Sequence, residues 1–181
     1  VKTLLSDISS VDNNKEIPVL QSNQNDETSG YWSLWEITAK NNFDKKVHYQ
    51  CFFIADNGKQ YAAYANDIWN RLISQDASTL FKVKEMTSYS KDIEKELNEA
   101  LYIVFQNLEA DVSEKMKFKK ENKINSYSFQ KSRINKIGIE NIKLSKLSKL
   151  EKEHDKWMKE FQTNRKIIPG TKQLLTIRID G

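Results

Sequence analysis

The chain has 181 residues, 38% of them hydrophobic and 30% charged, enough to bury a core as one domain without crosslinks. A single cysteine, Cys51, and two histidines exclude an internal disulfide and leave too few soft ligands for a structural zinc site. Its net charge of +4 hides an asymmetry: residues 1–114 hold 11 Lys and Arg against 18 Asp and Glu, whereas residues 115–166 hold 16 against 6. A basic block of that size attracts nucleic acid or an acidic protein surface, although a lysine-rich helix face is more often simply solvated.

The apolar runs, such as Tyr102-Ile103-Val104-Phe105, are far short of the ~20 residues that span a bilayer, and no charged-then-apolar leader opens the chain. No membrane association and a reducing, cytoplasmic setting are therefore expected. The chain begins at Val1 rather than Met, which is expected of a piece of a longer polypeptide and equally of a processed chain.

Residues 1–30 form a polar N-terminal segment with one apolar patch, Ile17 to Leu20; the stretch from Gln21 to Gly30 has the composition of a loop. Tyr31 to Ala39 alternates as a strand, Asn41 to Lys46 supplies a polar turn, and Val47 to Ala55 is a second strand closed by the tight turn Asp56-Asn57-Gly58. The two strands make a hairpin. Tyr61, Tyr64, Ile68, Trp69, Leu72 and Ile73 then recur at helical spacing and define a short helix. A small sheet is marginal alone, so Trp32, Trp35 and Trp69, with Trp157 further on, are read as core anchors, with Trp35 expected to be buried; a base-stacking platform is the alternative for the first three.

From Ser90, a plausible N-cap, the pattern changes to long helices. Ile93, Leu97, Leu101, Val104, Leu108 and Val112 form one coiled-coil seam, and Ile137, Leu144, Leu147, Leu150, His154, Trp157 and Phe161 a second. Between Lys91 and Lys166 there is no proline, and the only glycine is Gly138. Two antiparallel arms are expected, reversing at Glu121 to Ser126, which gives arms of similar length, or at Gly138. Arg165 and Lys166 suit the last turn of the second arm and Pro169-Gly170 its stop. Leu174 to Ile179 alternates as a final strand whose natural berth is an edge of the hairpin sheet. The fold class expected is α+β: a small antiparallel sheet of hairpin plus C-terminal strand, a short helix, and a long antiparallel helical hairpin within a single domain.

The search for chemistry returns little. Glycines stand only at 30, 58, 138, 170 and 181, so neither a phosphate-cradling P-loop nor a dinucleotide-binding glycine turn can be written. Glu151 to His154 supplies one Glu-x-x-His spacing, without the second copy that a di-iron bundle uses. His48 and Cys51 stand three apart with no acid at motif spacing. No catalytic residue, metal site or cofactor is expected in this chain. The cations placed to line one strip of a helix beside the seam are Lys131, Arg133, Lys136, Lys143, Lys146 and Lys149, the candidates for contact with duplex DNA.

The order of these elements carries a resemblance. Ser33-Leu34-Trp35-Glu36-Ile37, the strand ending at Asp56-Asn57-Gly58, Ile68-Trp69, the long helix, Arg133 through Ile142, Leu150-Glu151-Lys152-Glu153, Trp157 and Pro169 through Ile179 together resemble the C-terminal extension of bacterial Swi/Snf-like helicases of superfamily two. The resemblance runs from about Gly30 onward. It implies an accessory domain following the two lobes of a DNA-dependent ATPase, where ATP, magnesium and every catalytic motif would reside, with an arm that grips duplex DNA or docks a partner. The alternative is a structural coiled-coil module that recognises protein and has no nucleic-acid role.

Overall fold

The computed structural model describes residues 16–21, 28–74, 82–85 and 89–181. Most of the polar loop expected between Gln21 and Gly30 lies outside them. The chain is α+β, with strands β1 (Glu16–Gln21), β2 (Gly30–Lys40), β3 (Lys45–Ala55), β4 (Lys82–Glu85) and β5 (Ile168–Asp180), and helices α1 (Ala62–Ser74), α2 (Lys91–Asn135) and α3 (Glu140–Asn164). The sheet order is β3-β2-β5-β1-β4, so the C-terminal strand lies beside the hairpin as its alternation predicts. Two strands extend the expected sheet. The apolar patch at Ile17 is β1, parallel to β5 with Val19 opposite Arg178, and β4 pairs antiparallel with β1. At four residues, β4 is too short to carry a legible period.

The chain divides into two compact units, residues 1–37, 47–105 and 171–181 in one, and residues 38–46 and 106–170 in the other. In the first, Trp32, Cys51, Phe53 and Ala55 from the hairpin, Ala65, Ile68 and Leu72 from α1, and Ile177 and Ile179 from β5 form one buried cluster. Period two on the strands and period 3.6 on α1 bring these side chains to a shared face. Trp32 is fully buried, donates its Nε1–H to the Ala65 carbonyl at 2.9 Å and stacks on Trp69 at 6.1 Å.

Trp35 differs from expectation. It is half-buried, and its Nε1–H turns back to Ser33 Oγ at 2.9 Å on its own strand. Three residues from Trp32, it projects to the other side of the sheet, away from the α1 core. Trp69 is also half-buried, covering the edge of that core. Gly58 closes the hairpin-to-helix turn at φ 80°, a left-handed conformation that glycine enters freely, and its N–H bonds to the Ala55 carbonyl at 2.8 Å. Arg178 grips both carboxylate oxygens of Asp56 at 2.5 and 2.7 Å and lies over Tyr31.

The second unit is built on an antiparallel helix pair. The helices reverse at residues 136–139, so the Gly138 alternative holds and Glu121 to Ser126 is continuous helix. Asn122, Asn125 and Ser126 have only modest helix penalties, and no glycine or proline interrupts them. Helix α2 tightens before it stops: the N–H groups of Lys136 and Ile137 bond three residues back, to Arg133 and Ile134. Along α2, Leu108, Val112 and Met116 are buried, as are Ile93, Leu97 and Leu101 within the first unit. Ser90 caps α2, its Oγ accepting the Ile93 N–H.

Helix α3 shows half-buried or buried residues at Lys143, Leu147, Leu150, His154, Trp157 and Phe161, a heptad ladder in steps of four and three. Leu144 is off this ladder and exposed; the register descending from Phe161 lands on Lys143 instead. Phe43, in the turn between β2 and β3, meets Phe161 at 5.5 Å, and Asn42 bonds Asn164 at 2.7 Å. Lys46 pairs with Asp111 and Lys115 with Asp44, fixing that turn to the helices. Arg165 is the C-cap of α3, and Pro169-Gly170 opens β5, where Thr38 Oγ1 donates to the Gly170 carbonyl at 3.3 Å. Proline at the start of a strand withholds a donor at little cost.

Candidate nucleic-acid interface

The six cations singled out from sequence all lie near the closed end of the helical hairpin, but not on one strip. Successive residues of a helix are about 100° apart, so Lys131 and Arg133 point to opposite flanks of the seam. Lys131 leans towards α3, donating to Glu151 at 3.3 Å and to the Tyr127 hydroxyl at 3.4 Å. Those two bonds, Tyr127 first, raise its pKa and keep it protonated. Lys143 occupies the seam itself and pairs with Glu140 at 3.5 Å. Both are already engaged by carboxylates of the arm.

Arg133, Lys136, Lys146 and Lys149 remain exposed, and none forms an ion pair among the described residues. Arg133 and Lys146, from different helices, flank one cleft of about 320 Å³ completed by Gln130, Ile134 and Ile137. Lys149 follows Lys146 by three residues on α3, and Lys136, the first residue of the reversal, follows Arg133 by three, so a second cation stands near each of the first two. The guanidinium of Arg133 lies over the Phe129 ring, 5.9 Å from its centre.

The same end carries exposed Phe129, Ile139, Ile142 and Leu144. Apolar residues stand outside the seam while a lysine sits inside it, a local departure from the heptad rule. Sequence reasoning missed them because hydrophobicity was assigned to the seam before the register was known.

The remaining chemistry-bearing residues are accounted for separately. His154 stacks on Tyr127 at 4.1 Å, and its neighbour in the Glu-x-x-His spacing, Glu151, is committed to Lys131. Among the described residues no group of three or more His, Cys, Asp or Glu could hold a metal ion. His48 is exposed and bonds Gln50, while Cys51, three residues along the strand and on the opposite face, is buried. Burial pushes the Cys51 thiol up to about 11, so it is protonated at neutral pH and a poor nucleophile.

Two outcomes follow from that shift. Native Cys51 should react with iodoacetamide far more slowly at pH 8 than the urea-unfolded chain, read by mass spectrometry; equal rates would place the thiol outside the core. Because the folded pKa is raised, the neutral thiol's contribution to stability is complete below the ordinary thiol value and lost as pH climbs towards about 11. Trp157, the fourth tryptophan, stacks on Phe161 at 4.9 Å with Lys123 5.8 Å from its ring centre, a half-buried seam position.

No helix among the described residues is long and apolar enough to cross a membrane. Comparison with protein-family models, with curated proteins and with solved structures found no match to this chain.

Proposed function

We propose that the chain is a non-catalytic accessory module of a DNA-dependent ATPase of the Swi/Snf-like helicase type, and that its helical arm engages the phosphate backbone of duplex DNA. The observation that carries this reading is the gathering of Arg133, Lys136, Lys146 and Lys149 at the closed end of the hairpin without carboxylate partners among the described residues. Uncompensated cations from two helices favour a ligand that brings its own negative charges, and a phosphate backbone does so at regular spacing. Three of the four are lysines, point charges that cannot read base edges, so the contacts are chiefly sequence-independent and position the duplex. ATP and magnesium belong to an ATPase region outside this chain.

The test is fluorescence anisotropy of a labelled duplex titrated with the full chain at low salt. Binding tighter than the range usual for non-specific contacts at physiological salt, roughly 10⁻⁴ to 10⁻⁶ M, is expected, weakening to that range as salt is raised. Changing Arg133, Lys146 and Lys149 together to Glu should abolish it. Lys131→Gln should leave it unchanged, because Lys131 faces the other flank and is held by Glu151. An equal loss in both variants would refute the one-flank assignment.

A second reading, a coiled-coil arm that docks protein, is favoured by the exposed Phe129, Ile139, Ile142 and Leu144. Absence of any salt-sensitive duplex binding would make it the better account.

A further inference from the structure

At the open end of the hairpin a second cleft, of about 290 Å³, lies between α2 and α3. Ser113, Met116, Lys117 and Lys120 line it from α2, and Phe161, Arg165 and Ile167 from α3 and the residues just after it. Met116 and Phe161 are buried at 6% and 4% exposure and make an apolar floor. Lys117, Lys120 and Arg165 form an exposed cationic rim, none of them ion-paired among the described residues, and no carboxylate lines the cleft. The C-terminal end of α3 would account for Arg165 alone, but Lys117 and Lys120 stand mid-helix and gain nothing from a helix terminus.

This cleft is separate from the proposed DNA surface. Lys120 and Lys131 are eleven residues apart, about three full turns, so Lys120 shares the flank of Lys131 rather than that of Arg133. Its chemistry differs as well. A phosphate backbone would satisfy the rim but presents no apolar group to fill the floor, whereas a peptide supplies carboxylates and a large side chain together. The thioether of Met116 adapts to the shape of such a side chain, and the planar fork of Arg165 matches a carboxylate. We propose that this cleft docks an acidic protein segment bearing a large apolar residue, with that residue on the Met116–Phe161 floor and flanking carboxylates on Lys117, Lys120 and Arg165.

The experiment uses the full chain and three labelled probes: a peptide of about twelve residues alternating pairs of Glu with Leu, a peptide of equal charge with Ser in place of Leu, and a duplex DNA. The Leu peptide should bind saturably, and the Ser peptide at least about tenfold more weakly, the equivalent of about 1.4 kcal/mol. Lys117→Glu with Lys120→Glu should weaken the Leu peptide by a similar factor, while Arg133→Glu with Lys146→Glu leaves it unchanged. All four side chains are exposed, and circular dichroism of each variant confirms that the fold survives. Absence of saturable binding, equal binding of the Ser peptide, or indifference to the Lys117 and Lys120 reversal overturns the proposal. So does duplex binding that falls as much with that reversal as with the Arg133 and Lys146 reversal, which would make the cleft a nucleic-acid contact. Loss of duplex binding alone would fail the DNA reading and leave this one standing.

Discussion

Trp32→Ala should destabilise the protein by about 3–5 kcal/mol, the range for large aromatic truncations in cores. Its indole is completely buried, touches the hairpin, α1 and β5 cluster, and satisfies its own N–H on the Ala65 carbonyl. Removing it leaves a void beneath Trp69 that rigid strand backbones cannot close. Trp35→Ala should cost less, about 1–2 kcal/mol in proportion to its partial burial. Urea denaturation of both variants measures the difference. A smaller loss for Trp32 than for Trp35 would contradict the placement of the core.

Gly30→Ala should be nearly as damaging, although it adds a single methyl group. A Cβ at Gly30 would stand 2.4 Å from the Ile54 carbonyl oxygen, 2.7 Å from Ala55 Cα and 2.8 Å from Phe53 Cζ. Two of those atoms belong to the backbone of β3, so relief requires parting β2 from β3 at the start of the strand. A loss of at least about 2 kcal/mol is expected, at the upper end for overpacking. Denaturation of this variant within about 0.5 kcal/mol of wild type would show that the two strands do not approach so closely.

These two positions show how much of the fold was legible in the sequence. Alternation in β2 and β3, the Asp56-Asn57-Gly58 turn, the helical spacing of Ile68, Trp69 and Leu72, and the return to period two after Pro169 each determine a local element and agree with one another. Which tryptophan enters the core was not legible. Alternation puts Trp32 and Trp35 on opposite faces, and only the position of α1 decides which face is buried more deeply. The close approach at Gly30 is likewise a tertiary fact, since Gly30 reads locally as the end of a polar loop. The helix reversal was misplaced for a related reason. Turn-like composition at Asn122 to Ser126 is a weak preference, and packing of α3 along α2 overrides it.

At the candidate interface the sequence supplied the cations, and the register sorted them. Lys131 and Lys143 found carboxylates inside the arm, while Arg133 and Lys146 came together across two helices. Spacing within one helix cannot reveal a cleft made by two.

The central claim is that four cations at the closed end of the arm neutralise phosphates, and the salt dependence of duplex binding tests it most directly. Four phosphates neutralised give a log–log slope of about −3.6 for duplex DNA, and changing Arg133, Lys146 and Lys149 to Glu should bring the residual slope to about −1 or abolish binding altogether. A wild-type slope near zero, or a steep slope that the triple variant leaves intact, would contradict the assignment.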